Sequence, residues 1–173
     1  HITDAKGREI SAKEIYEAFL ATYIDLQEPL SLVDYEMSKS SSAAPADVSV
    51  TARVRIGPGD SSIRVVHGKG NGPVSAFVSG LNSELFKAQD ISIELGDYHS
   101  VARSKCKAAQ SSEAVCAVRC QAMQGSAPQG RPKFGIGLHG NTTTAVLQAV
   151  VSALNRIAVA GDSTLFDPAV LAL

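Results

Sequence analysis

The chain has 173 residues, with 16 Lys and Arg against 17 Asp and Glu and a formal net charge of −1, a balance that gives no electrostatic footprint for nucleic acid. Hydrophobic residues make up 45% and charged residues 19%, which excludes global disorder and suits one domain with a core of its own. Aromatics are only 5% and Trp is absent, so that core must be aliphatic. No apolar run approaches the roughly 20 residues of a membrane helix, and the first residues do not read as the basic-then-apolar pattern of a signal peptide.

Ser11 and Glu14 form an S-x-x-E capping box, in which each side chain satisfies a backbone N–H of the other residue. The box predicts a helix over 11–25, with Ile15, Ala18, Phe19 and Tyr23 on one apolar stripe. Pro29 ends this region, so 1–29 reads as a leading helix and linker.

A strand follows in which Val33, Tyr35 and Met37 alternate with Asp34 and Glu36. The Ser/Ala-rich stretch Ser38–Asp47 reads as a loop. Val48, Val50, Ala52, Val54 and Ile56 then alternate with Ser49, Thr51, Arg53 and Arg55, a strand with one buried and one wet face. Gly57-Pro58-Gly59-Asp60 predicts a hairpin turn, and Ile63–His67 a third strand. Gly68–Pro73 reads as a glycine-rich turn opening a helix with Val74, Phe77, Val78, Leu81 and Leu85 on one face.

The pattern then restarts. Ile91, Ile93 and Leu95 mark one strand, Ala114–Met123 a second, and Phe134, Ile136 and Leu138 a third. Gly125–Pro132 reads as the loop between the last two. Gly140-Asn141 opens a helix carrying Ala145, Ala149, Val150, Ala153, Leu154 and Ile157. The tail from Gly161 to Leu173 includes Leu165, Phe166 and Leu171, which are free to dock.

The chain therefore reads β-β-β-α twice. Val66-His67-Gly68 matches Leu138-His139-Gly140 at an offset of 72, and Phe77-Val78-Ser79-Gly80-Leu81-Asn82 matches Val150-Val151-Ser152-Ala153-Leu154-Asn155 at 73. Two matches at equivalent places argue for internal duplication. The fold expected is α+β: two βββα units (30–88 and 89–160) about a pseudo-twofold axis, preceded by a helix and followed by a tail over 161–173. Such packing leaves a groove between the units.

Chemistry is sparse. Cys106, Cys116 and Cys120 lack disulfide pairing and zinc-ligand spacing, and read as buried thiols in a reducing cytosol. The Gly68–Pro73 turn offers positive φ, close backbone approach and helix N–H groups for a carboxylate or phosphate. It fits neither a Walker loop nor a dinucleotide fingerprint, and a plain tight turn is the competing reading. His67 and His139 sit at matching strand ends without metal partners. Asp97 is placed to orient His99, yet Ser100 is in no nucleophile context. Arg53, Arg55, Arg64, Lys105, Lys107 and Arg119 read as a solvated sheet face. No catalytic or metal site emerges, and a small enzyme would need His67, His99 and His139 to converge.

Several segments resemble the C-terminal regulatory domain of 2-isopropylmalate synthase. Gly70-Asn71-Gly72-Pro73 followed by Ala76-Phe77-Val78 and Leu81 is similar to that family's GNGP helix. Asp97-Tyr98 resembles its D-Y strand, with His99-Ser100-Val101 replacing the family's E-H. Gly135-Ile136-Gly137-Leu138, Thr143-Thr144-Ala145 and Ala149–Arg156 resemble its closing strand and helix, with Phe134 standing where the family has Trp. Gly7–Ser11 fits the entry to the region, and the likeness runs over roughly 7–158.

The resemblance implies a leucine-binding domain of two βββα units that forms a homodimer and inhibits a cytoplasmic enzyme of leucine biosynthesis. It implies an effector site at Gly70, Asn71, Gly72 and Ser75, at Tyr98 and Ala102, at Ala114 and Cys116, and at Thr142. Ala102 and Ala114 would set pocket size. Catalysis, a divalent metal and the condensation of acetyl-CoA with 2-oxoisovalerate would belong to a TIM barrel that this chain does not contain, so no cofactor is expected here. The start at His1 in place of Met fits an excised domain. Citramalate synthases share the domain and sense isoleucine, and a dimerisation module with a decayed site is the further alternative.

Overall fold

The computed structural model describes residues 9–40, 48–57, 62–104 and 112–160. Residues 41–47 of the Ser/Ala stretch, the tip of the first hairpin, Cys106 with Lys105 and Lys107, and the tail with Leu165, Phe166 and Leu171 lie outside them. Ser38 and Lys39, read as the start of that loop, instead continue the first strand and pair with Ser49 and Val48. Helix α1 spans Ala12–Phe19, and its last turns widen to i→i+5 bonding over Leu20–Ile24. Three antiparallel strands follow, β1 Leu30–Lys39, β2 Val48–Ile56 and β3 Ile63–Gly70, and then helix α2, Pro73–Leu81, with wide and tight turns to Gln89. Strands β4 Ile91–Ser104, β5 Ser112–Gln124 and β6 Ala127–His139 precede helix α3, Thr142–Val159. The sheets are ordered β1-β2-β3 and β4-β5-β6. This is the expected α+β arrangement, a helix and then two βββα units.

The capping box at α1 forms as read, with the Glu14 N–H donating to Ser11 Oγ at 3.3 Å and the Ser11 N–H to Glu14 Oε2 at 3.0 Å. The apolar stripe of α1, however, does not sink into a core: no residue of α1 is buried, and Ile15 is 60% exposed. The segment is anchored through its final turn. The Ser152 hydroxyl donates to Tyr23 O at 2.7 Å, and the Arg156 guanidinium lies 4.2 Å above the Tyr23 ring.

The alternation in β2 decides the first core. Val48, Val50, Ala52, Val54 and Ile56 are all buried, facing Phe77 and Leu81 of α2. Cys116, Val118, Cys120 and Ala122 of β5 do the same beneath Ala145, Ala149, Ala153 and Leu154 of α3. One continuous cluster of buried side chains joins both units. Contrary to the reading that no run is long and apolar enough, α3 could cross a membrane by length and composition alone, but 61% of it is buried inside this fold.

Further readings of the sequence are corrected. In β1 a bulge lies between Leu32 and Asp34, so Leu32 takes the inward place and Val33 is the extra residue. Gly125–Pro132 is not a loop: β6 begins at Ala127 and carries Pro128 and Pro132 on a sheet edge, where a missing N–H is tolerated.

Gly68 and Gly70 lie in β3, not in a turn, and neither has positive φ. They are needed for close packing. A Cβ on Gly68 would lie 1.9 Å from Ala76 O and 2.5 Å from Gly80 N. Gly135 meets α3 in the same way, at 2.0 Å from Ala149 O and 2.2 Å from Ala153 N. These helix positions keep the 73-residue offset of the repeat. His67 and His139 are not matching strand ends: β3 continues past His67 to Gly70, whereas His139 closes β6.

The asparagines ending the repeated helix motif reveal how the units are joined. Asn82 donates through Nδ2 to Ile93 O at 3.1 Å and accepts from the Ile93 N–H at 2.8 Å. Asn155 donates to Leu30 O at 2.7 Å and Leu26 O at 2.9 Å, and accepts from the Leu30 N–H at 2.9 Å. Each helix thus grips the first strand of the other unit, the reciprocity that a pseudo-twofold relation requires.

Candidate functional site

A cleft of about 600 Å³ opens between the units. Its walls come from the start of α2 (Asn71, Gly72, Ser75), the start of α3 (Thr142, Thr143) and the middle of β4 (Leu95, Gly96, Tyr98). The buried side chains of Val118 and Val146 lie at its bottom, with Leu95 and Val74 beside them. Tyr98, 46% exposed, stands at its mouth. The register of β4 on β5 shifts between Leu95 and Tyr98, so the strand departs from regular pairing where it borders the cleft.

Both helix starts are braced. Pro73 occupies the first turn of α2, where no N–H is required. The Gly72 N–H donates to Ser75 Oγ at 3.1 Å, and the Ser75 hydroxyl donates to Asn71 Oδ1 at 2.6 Å. At α3, Asn141 Oδ1 accepts from the Thr144 N–H at 3.1 Å, and the Asn141 N–H donates to His139 Nδ1 at 2.9 Å. The Tyr35 and Thr144 hydroxyls are 2.9 Å apart, tying β1 to the start of α3. No Asp, Glu, Lys, Arg or His lines the cleft among the described residues. Polar recognition therefore rests on backbone dipoles, hydroxyls and amides, and the positive ends of two helices favour an anionic group.

Of the residues expected at an effector site, the fold brings Asn71, Gly72, Ser75, Tyr98 and Thr142 to this cleft. Gly70 sits at the end of β3 beneath Ser75, where a Cβ would come within 2.5 Å of Ser75 Oγ, so it makes room for the start of α2 without lining the cleft. Cys116 is buried behind α3, its thiol 3.8 Å from Thr142 O and 3.5 Å from Ser100 Oγ. Ala102 and Ala114 face each other farther along the β4–β5 ladder, and neither lines the cleft. The aliphatic floor was not anticipated. Leu95 belongs to the Ile91-Ile93-Leu95 alternation and Val118 to that of β5, but only the packing of two units sets them under one opening.

The other candidates stand apart. His67 Nδ1 lies 3.1 Å from Thr51 Oγ1 on the first sheet, while His99 and His139 belong to the second. Asp97 is 3.5 Å from the Arg119 guanidinium, so its partner is a cation and not His99. Among the described residues, no three His, Cys, Asp or Glu gather as a metal site would need. Burial pushes the Cys120 thiol up to about 12.

A family model described as the LeuA allosteric (dimerisation) domain matches residues 9–158. The chain belongs to this family. This LeuA domain is 30% identical over 156 residues to the 2-isopropylmalate synthase of Corynebacterium efficiens, covering 90% of the chain and 24% of that protein. It is 32% identical over 160 residues to the enzyme of the same name from Cupriavidus taiwanensis, covering 92% of the chain and 24% of that protein. The corresponding protein of Leifsonia xyli subsp. xyli is 32% identical over 173 residues, covering 98% of the chain and 26% of its own length. The chain thus spans about a quarter of the curated relatives it matches.

Proposed function

We propose that this LeuA domain is the regulatory part of a cytoplasmic 2-isopropylmalate synthase, that it binds leucine in the cleft between its units, and that it pairs with a second copy of itself. The observation that carries the reading is the convergence of two helix N-termini over an aliphatic floor. A leucine carboxylate suits the helix ends near Gly72 and Thr142, and its branched side chain suits Val118, Val146 and Leu95. Because the walls come from both units, bound leucine bears on how they sit together. Leucine then favours one arrangement, and its coupling to catalysis elsewhere in the parent enzyme is bounded by its difference in affinity between arrangements.

Thermal melting of the chain with leucine, isoleucine and valine tests this. Leucine at about 100 times its Kd should add about 2.7 kcal/mol, several degrees in Tm. A shift with isoleucine alone would identify a citramalate-synthase-like sensor, and no shift with any of the three would leave an assembly module. Gly72→Val should remove the leucine shift while sparing the fold. Gly72 has extended backbone (φ −165°), and a Cβ there meets nothing within 4 Å. An undiminished shift in that variant would rule out this cleft.

A further inference from the structure

The internal repeat runs deeper than the helices. Leu32-Val33-Asp34-Tyr35 of β1 returns 63 residues later as Leu95-Gly96-Asp97-Tyr98 of β4. Leu30 and Ile93, the strand residues gripped by the two asparagines, keep the same spacing. On the middle strands Arg53 and Arg119 correspond, because Tyr35 lies opposite Ala52 and Tyr98 opposite Val118. Each unit thus sets an Asp-Tyr step of its first strand beside an Arg of its second. In the first unit the step is closed. Only Val33 drops out of the β1–β2 ladder, Asp34 faces Arg53 in register, and the guanidinium donates to both carboxylate oxygens. Tyr35 then reaches the start of α3, its hydroxyl 2.9 Å from Thr144 Oγ1. In the second unit the same step is open. Gly96, Asp97 and Arg119 all leave the β4–β5 ladder, and Asp97 keeps a looser ion contact of 3.5 Å to Arg119, whose guanidinium lies over Gly96. Tyr98 stands exposed at the cleft mouth, and its hydroxyl makes no hydrogen bond among the described residues.

We propose that the second unit is the open form of a latch that the first unit shows closed, and that Asp97 and Arg119 are positioning residues for the cleft. When leucine fills the cleft, Asp97 takes Arg119 as Asp34 holds Arg53, β4 pairs through the break, and Tyr98 seats over the ligand on the start of α2. The seat is present. The residue 73 places before Thr144, the offset of the repeated helix motif, is Asn71, which lines the cleft with Tyr98. Asn71 Oδ1 takes the Ser75 hydroxyl, and its amide N–H groups have no partner among the described residues, so they are left for the phenol oxygen. The helix starts explain why one latch is shut and the other open. Relative to the shared motif α3 begins one turn earlier than α2, and that turn brings Thr144 to Tyr35. No such turn precedes Pro73, so Tyr98 faces about 600 Å³ of open cleft and has nothing to pack on until a ligand fills it. A ligand that touches Tyr98 only in the closed form shifts the latch by its difference in affinity for the two forms. The inference rests on the leucine reading above and adds how occupancy of the cleft is passed to β4 and Arg119.

The test combines titration calorimetry with leucine, circular-dichroism melts and acrylamide quenching of tyrosine emission on the whole chain, which has no Trp to mask the signal. Leucine should reduce the quenching in the wild-type chain, and Tyr98→Phe should lose most of that change. Asp97→Ala should weaken leucine binding about 10-fold, the size of one charge-assisted contact. It should leave the melt of the unliganded chain unmoved, because the open pair is exposed and contributes little there. Arg119→Lys keeps the charge and loses the fork, so its affinity should fall between those of wild type and Asp97→Ala. Asp34→Ala, in the latch that is already closed, should leave leucine affinity unchanged. A split between affinity and unliganded stability is what a residue with only a structural role would not show. A wild-type chain that binds no leucine overturns the leucine reading and this inference together. Leucine binding at wild-type strength in Asp97→Ala, or an undiminished quenching change in Tyr98→Phe, overturns the latch alone.

Discussion

Replacing Asn155 by Ala removes the grip of α3 on the first strand of the opposite unit. Asn155 is fully buried and makes three hydrogen bonds, all to backbone groups of Leu26 and Leu30. A net hydrogen bond contributes about 1–1.5 kcal/mol, and a buried group left unpaired costs about 1–3 kcal/mol. Leu30 is itself buried, so water cannot readily replace the lost partner of its N–H. The expected loss is about 3–5 kcal/mol, a large share of the roughly 5–15 kcal/mol that holds a domain folded. In a chain of this length it should lower Tm by about 10 °C. Urea unfolding followed by circular dichroism reads the loss as a lower midpoint at unchanged slope. Asn82→Ala provides the internal comparison, because Asn82 makes two such bonds and is only partly buried. A loss for Asn155→Ala below about 1 kcal/mol, or no larger than that for Asn82→Ala, would refute the argument.

Further outcomes follow from the same packing. Gly68→Ala drives a methyl to within 1.9 Å of a helix carbonyl, so it should destabilise by several kcal/mol in a urea titration, whereas Gly72→Ala should leave the midpoint nearly unchanged. Cys120 is buried with its pKa raised to about 12, so Ellman's reagent at pH 8 should modify it only after unfolding. The raised value also fixes a sign. The native thiol holds its proton where the unfolded one has lost it, so this contribution is complete below about pH 9. It should fall by about 1.4 kcal/mol per pH unit toward pH 12, and substituting Cys120 with Ala should flatten that stretch of the stability profile.

The parts of the fold that were legible in the sequence are those decided locally. The β2 alternation, the Ser11 box and the repeated helix motif each follow from residues a few places apart, and each reappears in the structure. The misread parts depend on distant partners. Gly68 and Gly70 look like turn glycines because glycine is permissive in turns, yet their role is set by a helix backbone lying across them. Pro128 and Pro132 look like loop formers until β6 proves to be an edge. The duplicated Asn82 and Asn155 were visible as a repeat, but nothing local shows that each holds a strand of the other unit. Likewise Asn71, Gly72, Ser75, Tyr98 and Thr142 came together only through the resemblance, and the aliphatic floor beneath them awaited the packing of the units.

The close seating of each helix on its sheet also restricts how the domain can move. At Gly68 and Gly135 no side chain separates helix backbone from strand backbone, so there is no compliant layer along which the two can slip. Each unit should then move as one body, which leaves the angle between the units, across the asparagine contacts, as the coordinate open to adjustment. A small molecule lodged between the two helix tips would act on that angle directly, much as a shim sets the opening of a jaw.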